Sequence, residues 1–413
     1  MKIYRFLAIL ITLVGIGVSA EAQSEIMTPY SRYGYGILGD NATSMQSGMG
    51  GVGYAMNSGR QVNVMNPASY AAVDSLTFLF DMGIDMDFLR SKEGLLKANS
   101  MGGGLDYITM SFQLWKRIGA SIGLLPYAST NYAFTDSIAN ASTSHQGAGN
   151  INQVYFGLGV NPFKGFYLGA NVSYMFGHTI NDIYATTITG STALFERYMK
   201  VNDVKFDFGL QYGVNITPAN RITLGLTYSP EKNLHGEAYG IYYAQALDTK
   251  PDTVGSGSLN GHYSLPATYG AGLNYQWSDR LMVEADVLYQ PWKDAKYAKI
   301  EGFESNEFDN RWKVAFGAQY TPHPRGSYVK RMQYRAGAFY NHDYIMVRGN
   351  NVREYGASLG VGLPVPGFKS VVNLAFEYRH REASPLSLVK ENYFNIKLGV
   401  NFNQLWFDSW KIH

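Results

Sequence analysis

Alternation with a period of two runs through most of this chain and commits it to strands. Between Leu76 and Phe88, apolar Leu76, Phe78, Phe80, Met82, Ile84, Met86 and Phe88 alternate with Thr77, Leu79, Asp81, Gly83, Asp85 and Asp87. A strand sends successive side chains to opposite faces, so this stretch carries one apolar face and one mostly polar face. The pattern returns at 204–216, where Val204, Phe206, Phe208 and Leu210 alternate with Lys205, Asp207, Gly209 and Gln211. It returns again at 392–402, where Phe394, Ile396, Leu398 and Val400 oppose Asn395, Lys397, Gly399 and Asn401. These runs are longer than the five or six residues common in soluble sheets. Their polar faces hold Gly and Asn more than Lys and Glu, which suits a lumen better than a solvated surface.

Fourteen such runs lie between residues 75 and 404, an even number as in single-chain bacterial barrels. Long links at 89–102, 133–149, 179–201, 231–260, 292–307, 342–350 and 382–390 alternate with tight ones such as 161–165 and 364–367. Long outer loops and short periplasmic turns are the arrangement of outer-membrane barrels. The fold class is therefore all-β: a 14-stranded antiparallel transmembrane β-barrel over 75–407, with a periplasmic C-terminal tail at 408–413. Trp115, Trp277, Trp292, Trp312 and Trp406, near strand ends, are candidates for the interfacial girdles.

Composition and the N-terminus fit that reading. Lys2 and Arg5 precede an apolar run from Phe6 to Ala20, followed by an A-x-A pattern at Ala20 to Ala22. Residues 1–22 thus read as a signal peptide, the run being short for a membrane helix. Only 16% of residues are charged, 15% are aromatic, and there is no cysteine. A net charge of +2 argues against a nucleic-acid partner. The expected location is the bacterial outer membrane, crossed many times, with outer-membrane lipid as the surroundings.

Residues 23–74 do not alternate. They hold SRYGYG, GMGGVGYAM and VNVMNPASYAAV, few charges, and too much Tyr, Met and Val for a disordered tail. The expectation is an N-terminal hatch, or plug, tucked into the lumen.

With these residues in place, the chain resembles the FadL/TodX family of outer-membrane transporters for hydrophobic compounds. Asn66-Pro67-Ala68 matches the step that ends that family's hatch, and Ser47 to Gly53 resembles the small-residue stretch upstream. Gly123-Leu124-Leu125-Pro126-Tyr127 resembles the family's irregular third strand, and Leu265-Pro266-Ala267 its Leu-Pro step before a mid-barrel strand. The opening Pro29 to Gly34 looks like the branch found in Bacteroidota. The resemblance implies a lateral opening at Gly123, Pro126 and Tyr127, through which small hydrophobic ligands leave the lumen. From the residues alone, Pro126 implies only a disrupted strand, since proline donates no ladder hydrogen bond.

The lumen face carries Asp81, Asp85, Arg311, Arg335, Arg379 and Lys397 among other charges. These either anchor the hatch by paired contacts or meet a ligand carboxylate. No nucleophile–base constellation, HExxH, GxSxG or phosphate-loop motif is present, so neither an enzyme nor a cofactor is expected. The leading expectation is passive uptake of fatty-acid-like or aromatic compounds by hatch movement. The alternative is a non-transporting barrel that serves as a structural subunit, with other outer-membrane proteins, of a secretion or barrel-assembly complex.

Overall fold

The structure is a computed structural model and describes residues 26–138, 141–245, 252–258, 263–297, 307–367 and 369–405. The expected signal peptide, the tail at 408–413 and Trp406 lie outside the described residues.

Fourteen strands form the wall: β1 (Thr77–Glu93), β2 (Leu96–Trp115), β3 (Ile118–Ile138), β4 (Ala141–Phe163), β5 (Phe166–Thr187), β6 (Thr192–Thr217), β7 (Asn220–Ser229), β8 (Thr268–Trp277), β9 (Leu281–Gln290), β10 (Arg311–Tyr320), β11 (Gln333–Val347), β12 (Asn350–Pro364), β13 (Val371–Ser384) and β14 (Lys390–Leu405). Each pairs antiparallel with the next, and β14 returns to pair with β1 from Lys390↔Lys92 to Leu405↔Thr77. The sheet is closed. Among the described residues no helix is long and apolar enough to cross a membrane, so any crossing falls to the strands.

The alternation resolves as the sequence implies. On β1, Leu79 and Asp81 are buried toward the lumen, whereas Phe88 points outward. Phe316 and Phe394 on the outer surface are both 59% exposed. An apolar belt of this extent is incompatible with a monomer surrounded by water. Trp115, Trp277 and Trp312 also lie on the exposed outer surface, but Trp292 does not. It is fully buried, stacked on Tyr344 at 4.3 Å between ring centroids, in an aromatic cluster inside the barrel mouth.

Several links that read as loops are strand. β3 and β4 run to Ile138 and from Ala141, and β5 and β6 span much of 179–201. Residues Ala238–Gln245 pair with β6 and with Asp252–Ser258, extending the wall as a crest on the long-link side. Above the apolar belt both faces of a strand meet water or protein, so its period-two polarity fades while its hydrogen bonding continues.

Residues 26–74 fill the lumen as a plug. Pro29–Arg32 and Pro67–Ala72 form 3-10 turns, Ser44–Ser47 one turn of α-helix, and Ile37–Leu38 a short strand. The plug has its own polar core. Gln46 Nε2 donates to Asn63 Oδ1 at 2.9 Å, and Asn63 Nδ2 donates to the carbonyls of Gly53 and Met56. Buried Met45, Met49, Val52 and Met56 then pack against Ala315 and Phe339 of the wall.

Candidate functional site: the plug, its anchors and the β2–β3 seam

Asn66-Pro67-Ala68 sits at the plug's contact with β6 and β7. Proline has no N–H to lose at the first position of a turn, which is where Pro67 stands. Asn66, fully buried, caps that turn by accepting from the Ala68 N–H at 3.1 Å. Its side-chain amide donates to the Tyr54 carbonyl at 2.7 Å and to the Leu210 carbonyl of β6 at 3.2 Å. One side chain thus fixes the turn, the plug interior and the wall. Gly209 faces it across so little space that any Cβ there would collide with the Asn66 side-chain oxygen, Oδ1, that caps the turn. This lumen-facing glycine is a seat for the plug.

Carboxylates of the wall hold plug backbone. Asp286 Oδ2 accepts from the N–H groups of Gly53 and Tyr54 at 2.7 and 3.0 Å, and Glu284 Oε1 from Ala55 at 2.8 Å. In the reverse sense, Asp40 of the plug meets Lys313 Nζ at 2.6 Å and Arg311 Nη2 at 3.2 Å. Desolvation in the lumen works against the Asp40 charge, but Lys313 and Arg311 outweigh it and hold its carboxyl well below the usual range.

Of the six lumenal charges singled out in the sequence, Arg311 alone reaches the plug by an ion pair among the described residues. Asp81 acts through another group: it accepts from Tyr107 Oη at 2.8 Å, and that hydroxyl accepts from the Ser44 N–H of the plug at 3.0 Å. Arg335 is spent on Gln319, Gln333 and Asn373 of the wall. Arg379 meets Glu377 at 3.0 Å and Asp87 at 3.4 Å, and Lys397 meets Asp106 at 2.7 Å. Asp85 accepts from the Gly104 N–H. Asp85, Arg379 and Lys397 line a cavity of about 410 Å³ between plug and wall. Glu284, Asp286 and Lys313 belong to the same lumen face in the sequence, but nothing in their spacing marks them as the ones that meet backbone.

The wall is irregular at one place beside that cavity. The β2–β3 ladder stops at Ile108↔Leu124, although both strands continue. Gly123 is still within the ladder, and Pro126 sits at a bulge in the pairing with β4. Past that point the exposed edge of β3 is taken up by the plug. Ile37 and Leu38 pair with Ser129 and Ala128, the Gly39 N–H donates to the Tyr127 carbonyl at 2.8 Å, and the Thr28 N–H to that of Asn131 at 2.9 Å. Gly36, at φ +87°, passes so close to the Ser129 carbonyl that a side chain has no room. The same limb is tied to the aromatic cluster at the mouth: Tyr344 Oη donates to the Gly36 carbonyl at 2.6 Å, and Tyr35 Oη to that of Ser264 at 3.0 Å.

The backbone is similar to solved channel structures. It matches the CymD monoaromatic hydrocarbon channel at a TM-score of 0.62 and 15% identity, over 88% of this chain and 98% of that one. It matches the Ralstonia pickettii toluene transporter TbuX at 0.61 and 15%, over 88% and 98%, and a Pseudomonas aeruginosa FadL homologue at 0.62 and 13%, over 89% and 99%. At such identities the likeness establishes a FadL-type barrel and no more. No curated protein sequence matches. The family model that does match is BamG, over residues 3–413. With that span, the chain belongs to the BamG family.

Proposed function

We propose that this protein is a plugged outer-membrane barrel that acts as a structural subunit of a barrel-assembly complex. The family name points to such a complex, and one observation favours the role over transport. Alongside apolar Leu38, Leu105, Leu124 and Phe176, the cavity left beside the plug is lined by ions already paired with one another, Lys397 with Asp106 and Arg379 with Glu377 and Asp87. An apolar molecule lodged there strips water from these charges without giving them a new partner. The wall and the crest on Ala238–Gln245 then serve as contact surfaces. Tyr239 stacks on Tyr198 at 4.9 Å and Tyr242 on Phe195 at 4.5 Å, an aromatic content suited to protein contact.

The second reading is passage of a small hydrophobic compound, and the interrupted β2–β3 ladder at Pro126 is what favours it. In that reading the limb over Thr28 to Gly39 withdraws and a ligand leaves sideways between Leu105 and Leu125.

A native mass spectrum of the protein, extracted in mild detergent from its own membrane, separates the two. A stoichiometric assembly with other proteins and no adduct is expected. A monomer carrying one lipid-like or aromatic adduct per chain overturns the subunit reading in favour of transport.

A further inference from the structure

The outer surface carries a one-sided basic rim that the plug and the seam do not explain. On the long-link side, register places Arg353, Glu382, Lys390, Lys92 and Lys97 in one cross-strand row over β12, β13, β14, β1 and β2. Arg90 lies one outward step below, between Asn392 and Asn99. All five cations are exposed. Lys390 has Glu382 at 3.5 Å; among the described residues no carboxylate pairs with Arg90, Lys92, Lys97 or Arg353.

Two features of this row call for an anion. Lys390, Lys92 and Lys97 are directly opposed on three adjacent strands, and like charges so placed destabilise a sheet. Below Arg90, the next outward row is Tyr378, Phe394, Phe88 and Met101, all 38–64% exposed. That apolar row is the edge of the lipid belt, which sets the cations at headgroup depth. The comparable outward positions on β5 and β6 instead oppose Asp182 to Glu196, so the basic character is local.

We infer that this rim binds the phosphate of an anionic lipid, with the headgroup bridging Lys92, Lys97 and Lys390, Arg90 beneath it, and the acyl chains along the Phe88–Phe394 surface. The lipid screens three opposed ammonium groups and holds one sector of the barrel against a charged leaflet. The inference rests on the barrel spanning a bilayer and is independent of whether the lumen transports.

The test uses the full chain in detergent micelles doped with phosphatidylglycerol or phosphatidylcholine, followed by native mass spectrometry and thermal melting. The wild type is expected to retain phosphatidylglycerol over phosphatidylcholine and to melt higher with it. The preference should fall about tenfold or more in the quadruple variant Arg90→Gln, Lys92→Gln, Lys97→Gln and Lys390→Gln, as expected from several kT of surface attraction. A control variant at the opposite rim, Lys116→Gln with Lys164→Gln, should keep it, which separates lost binding from lost folding. Equal retention of both lipids, or an undiminished preference in the quadruple variant, overturns the proposal. Stabilisation by inorganic phosphate at the same concentration also overturns it, by making the rim a free-anion site.

Discussion

Two seams of this barrel invite comparison: the one where the chain ends meet, and the one between β2 and β3. The first joins residues some three hundred positions apart and is zipped from Thr77↔Leu405 to Lys92↔Lys390. The second joins neighbours across a two-residue turn and comes undone at Ile108↔Leu124. Sequence proximity therefore does not set ladder completeness. What differs locally is that β14 has no proline and alternates without interruption, whereas β3 carries Pro126 beside a bulge in its pairing with β4. The open edge is not left bare. Plug residues Thr28 to Gly39 supply its missing hydrogen-bond partners, so one seam is closed by a strand of the wall and the other by a strand of the plug.

The largest expected effect strikes the complete seam. Ile396→Pro removes an N–H from β14 where no plug residue can replace it, and the ladder carbonyl left unpaired costs about 1–3 kcal/mol before any clash of the ring. The expected outcome is a barrel that loses its heat-modifiable compact band on gels. A variant that keeps this band at wild-type temperatures would mean the closing ladder matters less than its length implies.

Next in size is a change at the substituted seam. Gly36→Ala forces a side chain into a left-handed backbone, at about 1–2 kcal/mol, and against the Ser129 carbonyl. The limb should lift while the barrel persists. Proteolysis within residues 26–40 of the folded protein should then accelerate, with the gel band unchanged. If both stay as in wild type, the limb is not held by its fit to β3.

The wall was legible in the sequence because lipid imposes a strict period of two, and the seam because proline has only a few places to go in a sheet. The plug anchors were not legible. Asp286 and Asp81 carry the same signal on their strands, yet one accepts plug N–H groups and the other supports Tyr107. Which of them meets backbone depends on how far the plug projects at that height, a property of three-dimensional packing with no periodic trace. Trp292 departs from the girdle expectation for a related reason: it stands just past Pro291 at the end of β9, where a girdle residue would stand, but the link there folds inward. The crest was hidden because strands leave their alternation at the membrane surface.

A smaller effect is expected from acid, through the pair that ties the plug to β10. Asp40 has its carboxyl depressed in the folded state by Lys313 and Arg311. A depressed carboxylate contributes stability that is present above its unfolded pKa, near 4, and is lost as pH falls through the folded value. The Asp40 contribution to plug retention should therefore be flat from pH 8 to about 5 and weaken below about 4. Asp40→Asn should be weaker at neutral pH and lose that acid dependence. An acid profile identical in Asp40→Asn would assign the dependence to other carboxylates.

Pro126→Ala should do least, and its smallness discriminates between two accounts of the seam. If proline alone keeps β2 and β3 apart, restoring an N–H lets the ladder extend past Leu124, displaces the limb and stabilises the barrel. If the limb is the true partner of this edge, the hydrogen bonds from Gly39 to Tyr127 and from Thr28 to Asn131 remain, and the new N–H points at the β4 side or at water. The second outcome is expected, with stability changed by less than about 0.5 kcal/mol, as for a substitution that alters no cavity, cap or buried partner. Amide exchange at Ile37–Leu38 and Ala128–Asn131 reads the difference directly. Unchanged protection there, in Pro126→Ala as in wild type, identifies the plug as the strand that closes this seam; loss at Ile37–Leu38 with gain across Leu105 would return that role to β2.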